Sequence, residues 1–286
     1  MRKTLLALFI IFQTAQIFSQ EKSKTPNSKP LIIGTIDEIY SKELSEKRVL
    51  NIYLPPDYNE SDTTRYSIIY VLDGSIDEDF FHIAGIVQFN NFPWISRIPK
   101  SIVVGIVNVD RKRDFTGNTS IDSDKKLIPT YGGSAKFISF IENELQPYIN
   151  SKYKTNSSNT IVGQSLAGLL ATEILFTKPK LFDKYIIVSP SLWWNDGKLL
   201  KMQAEILKDN FANNIQIYIG VGKEGLAPSV SHHVMEIDAN LLADKIKQSK
   251  SKNVKVYFDY LPDEDHATVT HQAVFNAFRL LYPVEN

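Results

Sequence analysis

Ile161-Val162-Gly163-Gln164-Ser165-Leu166-Ala167-Gly168 is the stretch that decides the fold. Two β-branched residues run into Gly-Gln-Ser-Leu-Ala-Gly, and an apolar, helix-forming run over 169–176 follows at once. The pattern reads as strand, sharp turn, helix, with a serine at the apex. Such a turn pushes the hydroxyl beyond the sheet edge, where it can act as a nucleophile. The positions two before and two after the serine must be small, because strand and helix backbones pass close together there. Gly163 and Ala167 meet that need. Ala167 stands where the G-x-S-x-G pattern has its second glycine, and Gly168 follows it. The competing reading of the same residues is an ordinary tight strand-to-helix turn.

Outward from this point, strands and helices alternate. Continuous apolar runs over 67–72 and 101–107 suit strands buried on both faces. Shorter strand-like runs cover 160–163, 184–188, 215–221 and 254–260. Helical spacing appears over 134–148, 234–246 and 271–282. This order predicts an α/β fold, a mostly parallel sheet with helices on both faces. Strands over 31–40 and 48–54 have no helix between them, so they are expected to pair antiparallel at one edge. Without repeats or a second hydrophobic period, residues 31–286 read as a single domain. The long irregular stretches 77–100 and 109–133 follow strand ends, where open α/β sheets bind ligands, and so are candidate walls of a site.

Composition narrows the function. The chain of 286 residues is 43% hydrophobic and 22% charged, enough for a sizeable core. With 32 basic and 32 acidic residues the formal net charge is zero, which gives no electrostatic case for nucleic acid or an anionic membrane surface. The absence of cysteine excludes thiol catalysis, disulfides, Cys-based zinc sites and a lipid anchor on cysteine. Arg2-Lys3, the apolar run 5–12 and Ile17-Phe18-Ser19-Gln20 read as a secretory signal peptide over 1–20, followed by a polar leader over 21–30. The apolar run falls short of the ~20 residues that span a bilayer, so no stable membrane insertion is expected after cleavage.

A serine nucleophile needs a base, and the base is often oriented by an acid. On this fold the chain order is serine, acid, histidine. His82 precedes the serine and fails that order. His266 lies in the polar loop between the last strand and the last helix, which makes it the candidate base, with His271 next. Glu224 is the nearest carboxylate after the strand 215–221 and is the candidate acid. Asp238 inside a helix, and Asp263 or Asp265 beside the histidine, are alternatives, as is a dyad with no acid. The oxyanion of the intermediate needs two backbone N–H donors. Leu166, directly after the serine, should supply one, and the Gly74-Ser75 turn the other.

Tyr70-Val-Leu-Asp-Gly74, Arg111-Lys-Arg-Asp114, Gly163-Gln-Ser-Leu-Ala-Gly168, Ser189-Pro-Ser-Leu-Trp-Trp194 and Asp263-Glu-Asp-His266 together resemble a family of α/β-hydrolase esterases. That family includes esterase D, enterobactin-type siderophore esterases, and feruloyl and acetyl esterases of carbohydrates. The Ser-Pro-Ser-Leu-Trp-Trp block looks most like the siderophore branch. The resemblance implies the α/β-hydrolase fold, a serine hydrolase with Ser165 as nucleophile and His266 as base, and no cofactor. By the same resemblance, Arg111 and Arg113 lie beside the site.

Trp193 and Trp194 follow the sixth strand and could wall an aromatic acyl group or simply pack in the core. Phe80, Phe81, Phe89, Phe92 and Trp94 could form a pocket lid or a packed helix. A metal site from His232, His233 and Glu236 is disfavoured, because adjacent histidines do not share a helix face. The expected activity is hydrolysis of a small-molecule or glycan ester by an exported enzyme, periplasmic or secreted, acting through an acyl-enzyme on Ser165. An acyltransferase or peptidase of the same fold, or a non-catalytic binding protein, are the alternatives.

Overall fold

The computed structural model describes residues 28–61, 63–228 and 232–283. Among the described residues, those from Ile33 onward pack as a compact unit. The signal-peptide expectation for residues 1–20 lies outside the described residues.

An eight-stranded sheet forms the centre, in the order β1-β2-β4-β3-β5-β6-β7-β8. Its strands are β1 (Thr35–Ser41), β2 (Glu46–Tyr53), β3 (Tyr66–Val71), β4 (Ser101–Ile106), β5 (Thr155–Gln164), β6 (Lys184–Val188), β7 (Ile215–Gly222) and β8 (Val254–Leu261). β1 and β2 pair antiparallel at the edge, β2 meets β4 antiparallel, and every later pair is parallel. The mostly parallel α/β sheet expected from the alternating pattern, with its antiparallel edge, is the one observed, and it fits the α/β-hydrolase fold that the resemblance implies.

β3 and β4 are buried along their whole length, because their Ile, Val and Tyr side chains enter a core on each face. Ile68, Tyr70 and Leu72 point to one side, and Ile69 and Val71 to the other. The first side is covered by a long helical run built of α4 (Ser134–Phe140), a π-helical turn (Ile141–Leu145) and α5 (Gln146–Lys152), and by α6 (Leu166–Thr177) and α8 (Met235–Lys247). The second side is covered by α1 (Phe80–Asn91) and α9 (Val269–Leu281). Burying each large aliphatic side chain contributes roughly 1.5–3 kcal/mol, so the two cores supply the main drive for the fold.

α1 lies inside the stretch 77–100 that the sequence left irregular. Its apolar residues run around the whole helix, from Phe80 and Phe81 to Val87 and Phe89, and hide the helical period. Phe80, Ile83, Ala84 and Val87 are buried against the sheet, whereas Phe81 and Phe89 are exposed. The stretch 109–133 holds two short helices, α2 (Arg111–Phe115) and α3 (Asp122–Leu127). α7 (Trp194–Lys201) begins with three left-handed residues, Asn195, Asp196 and Gly197.

Register decides what meets at the carboxyl edge. Gln164 pairs with Val188, and Val71 with Val162, which brings the residues after β3, β5 and β6 side by side. Asp73, Ser165 and Ser189 follow those three strands, with φ of 56°, 61° and 43°. A non-glycine residue at such a φ costs on the order of 1–3 kcal/mol, and clustered strain of this kind marks functional edges.

Candidate active site

Ser165 has φ 61° and ψ −119°, a conformation that turns the chain from β5 into α6 within one residue. Its N–H donates to Val188 O at 3.0 Å, and its carbonyl accepts from Leu169 N at 2.9 Å and Ser191 N at 3.0 Å. The turn is possible because strand and helix nearly touch. A Cβ at Gly163 would sit 2.5 Å from Ala167 O, and one at Gly168 would sit 2.9 Å from Val188 O and 3.0 Å from Pro190 Cα. On the helix side the tight contact therefore falls on Gly168, one residue beyond the usual glycine. Ala167 keeps its methyl in the core.

The histidine loop is shaped by Asp265, whose carboxylate accepts the N–H groups of Ala267 at 2.8 Å and Thr268 at 3.1 Å. Gln164 Nε2 donates to His266 O at 2.8 Å and ties this loop to the residue before the serine. His266 Nε2 then lies 3.0 Å from Ser165 Oγ, and His266 Nδ1 lies 2.6 Å from Glu224 Oε2. Three side chains that are far apart in sequence thus form one hydrogen-bonded chain across the ends of β5, β7 and β8.

Glu224 is nearly buried, with 3% of its side chain exposed. Burial pushes its carboxyl up, but donors from His266 and Ser189 outweigh it, so the net shift is downward and the group is ionised. Ser189 Oγ donates to Oε1, and Gly222 N adds a longer bond at 3.3 Å. An ionised carboxylate only accepts, so the Nδ1 of neutral His266 carries the proton and Nε2 is left to accept one. Glu236 fixes the backbone of this loop by accepting from Glu224 N at 2.8 Å and Gly225 N at 2.9 Å. The spacing of Glu236 on a helix gave no sign of that role, since its target lies on another element.

The remaining carboxylates and histidines are placed elsewhere. Asp238 pairs with His233 Nδ1 at 2.7 Å. His271 stacks edge-on against His82 with ring centres 4.6 Å apart. Among the described residues no three His, Cys, Asp or Glu side chains come together as metal ligands. Also among the described residues, no helix is long and apolar enough to cross a membrane.

Two expected oxyanion donors differ in availability. Leu166 is the first residue of α6, and the first-turn N–H groups of a helix have no internal partner. Gly74 N is already spent on Ile106 O at 3.0 Å, so it is not the second donor. Its glycine identity has a packing cause: a Cβ there would lie 2.3 Å from Ile106 N. Ser75 N makes only a long contact with Glu78 Oε2, 3.4 Å, and is the freer of the pair.

Ser165, His266 and Glu224 open on a cleft of about 300 Å³. Arg111 and Lys112 bring positive charge to it, and Trp193, Leu127, Ile128, Met235 and Leu226 bring apolar surface. Leu226, which lines the cleft, is 76% exposed. Of the two stretches expected as walls, 109–133 supplies side chains to the cleft and 77–100 supplies none. Trp193 lines the cleft, but Trp194 turns inward and donates from Nε1 to Gly117 O at 3.0 Å. Arg113 also turns away. It binds Asp114 at 2.7 Å and Glu46 at 2.6 Å, and Asp114 in turn holds the fully buried Arg48 at 2.5 Å. That buried network consumes its charge, so Arg113 does not face a substrate.

Comparison with known proteins identifies the family and relatives of this fold. The sequence model of the Esterase family, described as "Putative esterase", matches residues 41–275. Ferri-bacillibactin esterase BesA of Bacillus subtilis is 28% identical over 255 residues, 84% of this chain and 87% of that protein. An IroE-like serine hydrolase from Shewanella oneidensis superposes with a TM-score of 0.76 at 30% identity, over 87% of this chain and 80% of that one. The BES protein from Bacillus cereus gives a TM-score of 0.76 at 27% identity, over 90% of this chain and 99% of that one. By sequence and by fold, the chain belongs to the Esterase family.

Proposed function

We propose that the protein is an exported serine esterase that cleaves a carboxylic ester through an acyl-enzyme on Ser165. The observation that carries this reading is the chain of contacts from Glu224 through His266 to Ser165 Oγ, 2.6 Å and 3.0 Å, opening on a cleft. Ser165 Oγ attacks the ester carbonyl while its proton passes to His266 Nε2. Glu224 holds the other ring proton and stabilises the imidazolium. The N–H groups of Leu166 and Ser75 donate to the developing oxyanion. The imidazolium returns its proton to the departing alcohol, and water repeats the sequence to free the acid.

The substrate is an ester with a flat aromatic acyl part, as in a feruloyl ester, or an aromatic siderophore lactone, which is negatively charged in its iron-bound form. Lys112, which brings positive charge to the cleft, and the apolar surface of Trp193, Leu127 and Ile128 support this class. The names of the similar proteins point the same way, since BesA is a ferri-bacillibactin esterase. Residues 1–20 act as the export signal, and 31–286 as a single catalytic domain.

A fluorophosphonate probe should label Ser165, and Ser165→Ala should lose hydrolysis of both p-nitrophenyl acetate and a catecholate trilactone. Full activity in that variant rejects the mechanism. The mature amino terminus, read by mass spectrometry of exported protein, should lie near residue 20.

A further inference from the structure

The Ser189-Pro190-Ser191 strap leaves β6 and touches both ends of the catalytic chain. Ser189 binds the acid. Ser191 has no part in the mechanism above, although it is only 2% exposed and lines the cleft. Its N–H holds the Ser165 carbonyl at 3.0 Å, and its hydroxyl lies 3.4 Å from Ser165 Oγ.

The direction of that contact follows from counting protons. Ionised Glu224 fixes the ring proton of neutral His266 on Nδ1, so Nε2 must accept, and the single proton of Ser165 goes to it. Oγ of Ser165 then offers only lone pairs to Ser191, and Ser191 is the donor. At 3.4 Å the contact is longer than the roughly 2.5–3.0 Å of a good O–H···O bond, so it stabilises the neutral hydroxyl little. Charge appearing on Oγ shortens and strengthens such a bond. An interaction that is stronger in the transition state than in the ground state raises the rate.

We propose that Ser191 is a further catalytic residue, whose hydroxyl donates to Ser165 Oγ and stabilises the charge that this oxygen carries as it enters and leaves the acyl bond. The inference rests on the serine-esterase reading. In acylation the Oγ–H bond breaks, its proton goes to His266 Nε2, and the Oγ–C bond forms. In deacylation water adds to the acyl carbon and gives its proton to Nε2. The C–Oγ bond then breaks with its electron pair staying on Oγ, and Nε2 returns a proton to it. Ser191 keeps its own proton throughout. Deacylation is the more sensitive half-reaction with an activated ester, because there Oγ is the leaving group.

Stopped-flow hydrolysis of p-nitrophenyl acetate separates the two steps, the burst reporting acylation and the steady phase deacylation. Ser191→Ala should slow the steady phase about tenfold, as loss of a hydrogen bond to a charged group does, and keep a burst of about one product per enzyme. A steady phase within twofold of wild type overturns the proposal. So does a slowdown explained wholly by a smaller burst, which would mean fewer folded sites. If Ser191→Ala fails to fold, Ser191→Gly carries the same expectation and the same limits. Failure of the underlying reading looks different: wild type itself would give no burst and no fluorophosphonate label.

Discussion

The guanidinium of Arg111 grips Asp73 with two parallel hydrogen bonds, Nε to Oδ1 at 2.6 Å and Nη2 to Oδ2 at 2.8 Å. Asn108 Nδ2 adds a third bond to Oδ1 at 2.7 Å. Asp73 is the strained residue just before the Gly74-Ser75 turn, and Arg111 Nη2 also reaches Gln164 O at 3.4 Å. Arg111 therefore braces the turn that carries Ser75 N–H against the residue before the nucleophile. Arg111→Lys keeps the charge but loses the planar fork. We expect kcat to fall about tenfold with KM changed less than about threefold, since misplacing an oxyanion donor harms the transition state most. A rise in KM at unchanged kcat would show instead that Arg111 acts by holding substrate.

Glu224→Gln keeps the size of the side chain but offers an amide to His266 Nδ1, which favours the wrong tautomer. The expected loss in kcat is about 10²–10⁴-fold, with the rate of fluorophosphonate labelling reduced in parallel. Labelling at the wild-type rate would remove Glu224 from the mechanism.

Ser189→Ala removes one donor from the Glu224 carboxylate. That carboxyl is held below its ordinary value of 4.5, so it contributes stability that is present above that pH and is lost as pH falls through its lower folded value. The variant should be less stable than wild type by about 1 kcal/mol at pH 7, and the gap should close in acid. Melting temperatures of the two proteins at pH 7 and at a pH below the folded value of Glu224 provide the check. An equal gap at both values would mean that the hydroxyl acts through packing and not through charge.

Asp79, at the start of α1, shows the opposite sign. Burial, and then the neighbouring Asp73 charge, push its carboxyl up to about 6 from an ordinary 3.8. A raised folded value means stability that is full below pH 3.8 and is lost as pH rises through about 6. Asp79 makes no side-chain cap to the helix, and the nearby His82 and Arg111 offset only part of the rise. Asp79→Asn should melt higher than wild type at pH 7.5 and no higher at pH 3.5. A lower melting point at pH 7.5 would contradict the assignment.

Chain order and local pattern made much of this legible. The run into Gly163-Gln164-Ser165, the alternation of strands and helices, and the loop positions of Glu224 and His266 depend on neighbours in sequence. Parallel strands end on one edge, so residues that follow β5, β7 and β8 converge there whatever separates them in the chain. For the segment of α1 a pocket lid and a packed helix stay equally open in the sequence, because a helix apolar on every side has no period to read.

The sequence by itself determined the fold class, the serine at the turn, and which loops would meet around it. Only the tertiary structure decided how the polar groups are spent. Gly74 N–H is taken by Ile106 O, Arg113 is drawn into a network with Glu46, Asp114 and buried Arg48, Trp194 turns to Gly117, and Ser189 and Ser191 reach Glu224 and Ser165. The reason is that a hydrogen bond is fixed by what stands opposite in space. Most buried donors find a partner, and for these groups the partners come from strands and loops far along the chain.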